Sequence, residues 1–192
     1  SSVTLQETGL ILFDKIVPEG RTITEVREVE NHKEAFDFML NYRDDITKRF
    51  VLQLHKKLMH NILWKYAGKF RDVQVAIRGA GFLPPPPEKV EKEFKSLMKW
   101  HGANKNKYHP AVVAAYFHAA FESIHPFRDG NGRTGRLLLD FILHKRGFPM
   151  IDIKNKDRMK YYNSLEEAQK NGDLKPLTKL IAGYIKESEM SI

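Results

Sequence analysis

The chain of 192 residues contains no cysteine, which excludes disulfide bridges and cysteine-ligated metal sites. This composition is compatible with the reducing cytosol, and we predict a cytoplasmic protein. The sequence also lacks any run of 18 apolar residues, and its start lacks the basic, then apolar order of a signal peptide. It therefore predicts neither a membrane span nor a secretion signal. Repeats and low-complexity tracts are missing, apart from four prolines at 84–87.

The net charge is +8 at pH 7, and a basic surface raises non-specific affinity for nucleic acid. The lysines are spread over several predicted helices, however, and are interleaved with Glu88, Glu91 and Glu93 as on solvated helix faces. We therefore interpret the charge as a source of solubility and of attraction for an anionic ligand or an acidic partner. A nucleic-acid interface is the less favoured alternative.

Apolar residues recur at helical spacing through most of the chain. The pattern predicts helices at 26–40, 46–59, 88–100, 111–124, 133–146 and 177–185. Two segments, Thr4 to Glu7 and Thr22 to Glu25, have the Thr-x-x-Glu order of a capping box, so each predicts the start of a helix. The chain length and this uninterrupted helical pattern predict a single domain, 1–192.

The only strand-like alternation is Val73, Val75 and Ile77, followed by a Gly-Ala-Gly turn at 79–81. This pattern predicts one small β-hairpin. The prolines at 84–87 then predict a stiff connection to the next helix, with a ligand for a recognition domain as the alternative. The predicted fold class is therefore all-α, a helical bundle with one β-hairpin.

The most informative segment, residues 125–136, reads His-Pro-Phe-Arg-Asp-Gly-Asn-Gly-Arg-Thr-Gly-Arg. A helical sequence precedes it, and Pro126 disfavours the α region for the preceding residue, so that helix is predicted to end at His125. A second helix is predicted from Arg133, so the turn at 130–132 lies where free backbone N–H groups meet the positive end of the helix dipole. The segment therefore predicts an anion site, and its mixture of charges predicts a polyphosphate ligand.

Two residues of the segment can carry chemistry. Neutral imidazole accepts a proton near pH 7, so His125 is the candidate general base for a hydroxyl nucleophile, with helix capping as the alternative role. Asp129 provides the hard oxygen ligand that suits Mg²⁺. His118 lies two helical turns before His125 and suggests a metal site, but no third ligand has suitable spacing. We expect His118 to pack near the site.

The other residues of the segment can hold phosphate. Gly130 and Gly132 permit positive φ and a close approach of the backbone, and Asn131 tolerates the left-handed region and can donate from its amide. Arg133 and Arg136 share a helix face and can each bind a phosphate through a bidentate fork.

The segment resembles the Fic (filamentation induced by cAMP) family pattern His-x-Phe-x-Asp/Glu-Gly-Asn-Gly-Arg-x-x-Arg, which it matches at every defined position. The resemblance extends from about residue 4 to 180. Upstream, residues 68–87 look like the family's flap hairpin, here at about 70–84. Downstream, residues 147–149 and 161–165 look like the segment that closes over the nucleotide base. The resemblance implies a single Fic domain with a helical core at about 24–185.

What the resemblance implies is a protein adenylyltransferase, which transfers AMP from Mg-ATP to a Tyr, Ser or Thr hydroxyl of a target protein and releases pyrophosphate. It implies that His125 is the base and Asp129 the Mg²⁺ ligand. It further implies that the nucleotide contacts Phe127, Gly130, Asn131, Gly132, Arg133, Arg136, Tyr161, Tyr162 and Gln169. The flap would position the target by strand addition through Val75, Ile77, Gly79 and Phe82.

Alternatives to AMP transfer remain. Doc-type toxins, a related branch, transfer the γ-phosphoryl group and carry Lys where this chain has Gly132, so the glycines favour nucleotidyl transfer. A Fic variant could transfer another phosphate-containing group, and a non-catalytic nucleotide-binding or interaction module could keep the loop. His125 argues against the last, since a phosphate sensor needs no base. The implied target is a protein. Self-modification and formation of a homodimer are further alternatives.

In many Fic proteins a helix with the pattern Ser/Thr-x-x-x-Glu-Gly/Asn places its Glu on the second arginine of the motif. The Glu-Gly and Glu-Asn pairs of this chain, at 19–20 and 30–31, come after Lys15 and Val26 and do not fit. In relatives whose inhibitory helix is N-terminal, the residues immediately after that motif resemble the segment Ser2 to Glu7. We therefore expect a longer parent protein whose inhibitory segment lies upstream of residue 1.

Overall fold

The computed structural model describes residues 3–77 and 81–190, and all regular structure within them is helical. The helices are α1 Leu5–Gly9, α2 Ile23–Asn41, α3 Lys48–Met59, α4 Pro87–Asn104, α5 Pro110–Ile124, α6 Asn131–His144, α7 Arg158–Lys170 and α8 Lys175–Glu189. A π-helical turn, Leu10–Asp14, comes after α1, and a 3₁₀ turn, Asn155–Asp157, precedes α7. The predicted all-α class is confirmed. In this part of the chain, no helix has the length and apolar character needed to cross a membrane.

The chain divides into two compact units, one up to Lys69 and one from Phe70 onward. In the first unit, both capping boxes are present. The Thr4 hydroxyl accepts from the Glu7 amide at 3.2 Å while the Glu7 carboxylate accepts from the Thr4 amide at 2.7 Å. In the second box, the Thr22 hydroxyl accepts from the Glu25 amide at 3.1 Å and the Glu25 carboxylate accepts from the Thr22 amide at 2.9 Å. Thr22 caps α2, which begins at Ile23, so the capping box marks the helix start and the apolar periodicity that begins at 26 follows it.

The second unit is built around α5, against which α4, α6, α7 and α8 pack. Two alanines of α5, Ala114 and Ala115, are fully buried and leave room for neighbouring helices to approach closely. Pro110 occupies the first turn of α5, where its missing N–H has no intrahelical partner to lose, and the His109 ring accepts from the Ala111 amide at 3.2 Å. Helix α5 and its end therefore set the position of the segment between α5 and α6.

The predicted β-hairpin is not formed by the described residues, because 73–77 and 81–86 carry no strand. Side chains donate hydrogen bonds to the backbone carbonyls that would pair the two strands of a hairpin. Gln74 Nε2 donates to the Pro84 carbonyl at 3.0 Å, and Arg71 donates to the carbonyls of Val73 and Pro85. The prolines at 84–87 have no N–H to offer a partner strand. The turn residues Arg78, Gly79 and Ala80 lie outside the described residues.

Candidate active site

The segment between α5 and α6 has two residues in the left-handed region of backbone conformation. His125 ends α5 with φ 47° and ψ 61°, and its amide donates to the Phe121 carbonyl at 3.0 Å. Gly130 has φ 78° and precedes α6, which begins at Asn131 rather than at the predicted Arg133. The predicted helix end at His125 is confirmed. A non-glycine residue with positive φ is uncommon, so the surrounding structure must hold His125 in place.

Arg71 provides that support. Its backbone amide donates to the Pro126 carbonyl at 2.9 Å, and its Nε donates to the His125 carbonyl at 2.8 Å. The same guanidinium also reaches the carbonyl of Ile124 at 3.4 Å. Arginine has five N–H donors in a fixed fork, so one buried side chain can satisfy several of the carbonyls that a helix end leaves without partners. Sequence reasoning missed this role, because no spacing rule relates positions 54 residues apart.

The imidazole of His125 has a defined tautomer. Its Nδ1 lies 3.3 Å from the Glu122 carbonyl oxygen. Because a carbonyl only accepts, Nδ1 carries the hydrogen and Nε2 carries the basic lone pair. Burial lowers the pKa of His125, and the positive charge of Arg71 lowers it further, whereas the bond to Glu122 and the charge of Asp129 oppose the shift. The ring is therefore neutral near pH 7, as a general base requires.

Two of the predicted nucleotide contacts, Phe127 and Asn131, have side chains that support the loop from inside the fold. Phe127 is 0% exposed, and its ring centroid lies 5.7 Å from that of Phe70 and 6.3 Å from that of Phe121. The Asn131 side chain is also buried, accepting from the Phe127 amide and donating to the Phe127 carbonyl, each at 2.9 Å. Both side chains are therefore held inside the fold, and their contact with a nucleotide stays a prediction. Asn131 can contact phosphate only through its backbone amide.

The two glycines of the turn differ in conformation. Gly130 has positive φ, whereas Gly132 lies in the first turn of α6 with ordinary helical backbone. Both glycines permit positive φ, and of the two only Gly130 uses it. Its amide and that of Asn131 stand in the first turn of α6, where no preceding turn provides an acceptor. A Cβ at position 132 would lie 3.4 Å from Arg136 Nη1, so the missing side chain leaves the surface beside that arginine open.

The charged residues of the loop lie beside this helix start. Asp129 Oδ1 accepts from the Gly130 amide at 2.5 Å and lies 3.9 Å from Arg133 Nη2. Arg136 is exposed one turn further along α6. Within the described ranges, no group of three or more His, Asp or Glu residues could hold a metal ion. Mg²⁺ is commonly held by one or two carboxylates together with substrate phosphates, and the 66% exposed carboxyl of Asp129 fits that arrangement.

The predicted base-binding residues lie on α7 in different environments. Tyr161 is 5% exposed, and its hydroxyl lies 2.6 Å from His118 Nε2. Burial lowers the pKa of His118 to about 4, so this histidine is a neutral packing residue as expected. Tyr162 is 45% exposed, with Arg158 5.6 Å over its ring. Of the two tyrosines, Tyr162 is the more exposed, and the contact of Tyr161 with a nucleotide stays a prediction.

Gln169 lies two turns after Tyr162 on α7. It lines a cavity of about 380 Å³ between α4, α5 and α7, where Trp100 stacks on Tyr116 with ring centroids 3.7 Å apart. Neither Tyr161 nor Tyr162 is among the described residues that line this cavity. The flap residues Val75, Ile77 and Phe82 are half-buried in the irregular segment before α4.

The sequence pattern of the Fic/DOC family matches residues 45–143, and the chain belongs to this family. Protein adenylyltransferase Fic of Nematostella vectensis is 33% identical over 187 residues, which are 95% of this chain and 43% of that protein. The chain thus spans less than half the length of this curated relative.

Solved structures agree on the fold. Fic-1 from C. elegans is 32% identical, with a TM-score of 0.87 over 97% of this chain and 56% of that one. The BepC protein from Bartonella tribocorum, solved with bound AMPPNP, has a TM-score of 0.68 at 22% identity and covers 83% of this chain and 84% of that one. The latter likeness concerns the fold alone. The resemblance predicted from residues 125–136 is confirmed.

Proposed function

We propose that the chain transfers AMP from Mg-ATP to a Tyr, Ser or Thr hydroxyl of a target protein and releases pyrophosphate. The observation that carries the proposal is the placement of His125. Its side chain is 18% exposed, with Nδ1 bonded inside the fold and Nε2 carrying the lone pair. Only five residues separate this base from the first amides of α6. The names of relatives, protein adenylyltransferase Fic, support the same chemistry.

In the proposed reaction, His125 Nε2 accepts the proton of the target hydroxyl. The hydroxyl oxygen forms a bond to the α-phosphorus of ATP, the bond from that phosphorus to the bridging oxygen breaks, and pyrophosphate leaves. The lowered pKa of His125 keeps the ring neutral and able to accept the proton at pH 7. A base on the hydroxyl also explains why the site needs a histidine in addition to an anion site.

The phosphates are proposed to lie at the start of α6. The backbone amides of Asn131 and Gly132 and the positive end of the helix dipole would stabilise the negative oxygens, and the Gly130 amide would join them once it leaves Asp129. Arg133 and Arg136 would bind two of the phosphates. Asp129 would hold Mg²⁺, which neutralises phosphate charge when bound. Asp129 Oδ1 lies 3.9 Å from Arg133 Nη2, so the carboxylate that would hold the metal ion and this arginine would act at the same end of α6.

The nucleoside is proposed to contact Tyr162 through its exposed ring face, with Gln169 as a further polar contact. The target segment is proposed to lie against the flap, where Val75, Ile77 and Phe82 are the described candidates. We propose the cytosol as the compartment, since ATP is abundant there. Self-modification and a homodimer are further proposals, and the first is tested by label that appears on the chain itself.

The test uses ATP labelled at the α- or the γ-phosphate, incubated with the chain and a cell lysate. We expect protein-bound label from α-labelled ATP alone. His125→Ala should lower the rate of transfer by about 10²–10⁴-fold and leave ATP binding nearly unchanged. His60→Ala, at an exposed histidine of α3's C-terminal end, is the matched control and should transfer normally. Transfer of γ-label alone would assign the chain to phosphoryl transfer, and ATP binding without any transfer would assign it to the non-catalytic alternative.

A further inference from the structure

Glu122 is a buried carboxylate one turn before His125 on α5. It is 7% exposed, and its Oε1 has no hydrogen-bond partner among the residues that the structure describes. Its Oε2 lies 3.8 Å from Nδ1 of His125. A buried carboxylate without full hydrogen bonding is unfavourable for folding, so its presence indicates a role beyond stability.

The neighbouring helix leaves space for this carboxylate. A Cβ built on Gly135 of α6 would lie 2.3 Å from Glu122 Oε1 and 3.2 Å from the ring of His118. No real Cβ contact is that short, so a side chain at position 135 would displace Glu122. Gly135 has helical backbone and needs no positive φ. The missing side chain at Gly135 therefore leaves room for the carboxylate, and α5 and α6 together hold Glu122 beside His125.

We propose that Glu122 is a positioning residue for the base: its carboxylate orients the His125 ring through Nδ1–H and stabilises the imidazolium formed when Nε2 accepts a proton. This inference rests on the proposed function of His125. Opposite charges at this separation favour each other strongly where water is excluded. The distance of 3.8 Å allows a hydrogen bond after a small movement of the ring, which now bonds the Glu122 carbonyl at 3.3 Å.

The protonation states agree with this role. Burial raises the pKa of Glu122 to about 7, and the positive charge of Arg136 opposes the rise. Above pH 7 the carboxylate is therefore charged while His125 is neutral, and this is the state in which the ring can accept a proton. As the pH falls, the pair takes up a proton and the base is lost. The other charged or titratable groups facing the pair are His118 on α5, Arg136 on α6, Asp129 before α6, Tyr161 on α7 and Arg71 before α4.

The test compares Glu122→Gln with His118→Gln, a matched change at another buried polar residue of α5. The pKa of His125 is read directly by NMR titration of labelled histidines, with the resonance assigned by its loss in His125→Ala. We expect a lower pKa in Glu122→Gln, since an amide does not stabilise the imidazolium, and no change in His118→Gln. In the transfer assay, kcat should fall by at least about 10-fold with KM for ATP unchanged, and the acid limb of kcat/KM should move to lower pH.

Glu122→Asp keeps the charge and should restore part of the loss in kcat that Glu122→Gln shows. An unchanged pKa of His125 in Glu122→Gln would overturn the inference, and so would an equal fall in His118→Gln. Thermal unfolding of each variant separates loss of folding from loss of charge. If the pKa falls as expected but the wild-type chain transfers no AMP, the proposed function fails while the coupling between the two residues stands.

Discussion

Arg71 donates from Nε to the carbonyl oxygen of His125 at 2.8 Å, although the two are 54 positions apart in the sequence. The bond joins the segment before α4 to the end of α5, and it holds the backbone of the candidate base in a left-handed conformation. The same guanidinium lowers the pKa of His125 through its charge. The effect that we infer for the Glu122 carboxylate on the same imidazole has the opposite sign.

Replacing Arg71 by Gln should therefore change the pH profile in the direction opposite to Glu122→Gln. Without the positive charge, the folded-state pKa of His125 rises, so a higher pH is needed for the neutral ring. We expect the acid limb of kcat/KM to move to higher pH, measured between pH 5 and 9 in buffers of constant ionic strength. An unchanged or lowered acid limb would contradict this electrostatic role.

Arg71→Lys separates the charge from the geometry of the guanidinium. Lysine keeps the positive charge but cannot reach the carbonyls of Val73, Pro85 and His125 together. Each buried carbonyl left without a donor costs about 1–3 kcal/mol, and we expect a loss of at least that size in the free energy of unfolding, measured with urea. The acid limb should stay near its wild-type position. A variant as stable as the wild type would show that the fork is dispensable.

The glycines at 130 and 132 provide a matched pair. Gly130→Ala forces an L-residue into φ 78° and should destabilise the fold by about 1–2 kcal/mol. Gly132→Ala places alanine in regular helix and should leave stability unchanged or raise it by up to about 1 kcal/mol. Its added methyl group lies beside Arg136 and should nevertheless raise KM for ATP. Urea unfolding and steady-state kinetics on both variants check this, and equal destabilisation by the two would refute the conformational difference.

Gly135→Ala tests the space beside Glu122. The new Cβ would meet Glu122 Oε1, so we expect a destabilisation of about 1–3 kcal/mol from overpacking and a loss of transfer. Combining it with Glu122→Ala removes the clash. The double variant should therefore be less destabilised than the sum of the two single variants, as measured in a double-mutant cycle. Additive free energies of unfolding would mean that Gly135 and Glu122 do not compete for space.

Tyr161 and Tyr162 should behave differently although they are neighbours. Tyr161→Phe removes the hydrogen bond to His118 and should lower stability by about 1 kcal/mol with little effect on ATP binding. Tyr162→Ala removes a half-exposed ring and should leave stability almost unchanged. Stacking of an aromatic ring on a base contributes about 1–3 kcal/mol. If Tyr162 stacks on the adenine, Tyr162→Ala should therefore raise KM for ATP by about tenfold. Calorimetric titration with ATP distinguishes the two, and the reverse pattern would place the base against Tyr161.

Local signals predicted the parts of the fold that short segments determine. The end of α5 at His125 is explained by the proline after it, and the start of α2 by the Thr22 and Glu25 capping box. Tertiary packing determined which side chains are buried, and the sequence pattern could not indicate this. Phe127 looks like a ligand contact in the motif, but its neighbours Phe70 and Phe121 bury it. The alternation at 73–77 predicted a strand, yet the side chains of Gln74, inside that segment, and Arg71, before it, bind backbone carbonyls there.

The paired hydrogen bonds between the Asn131 side chain and the Phe127 backbone close residues 127–131 into a ring of fixed shape. Little conformational entropy remains for a phosphate to remove on binding, so the anion site is preorganised for any nucleotide that carries one. Under the proposed function, such a site would recognise the phosphates and not the base. Discrimination between ATP and GTP would then depend on α7 and its surroundings, and exchange of residues there would change the nucleotide used while the motif stays intact.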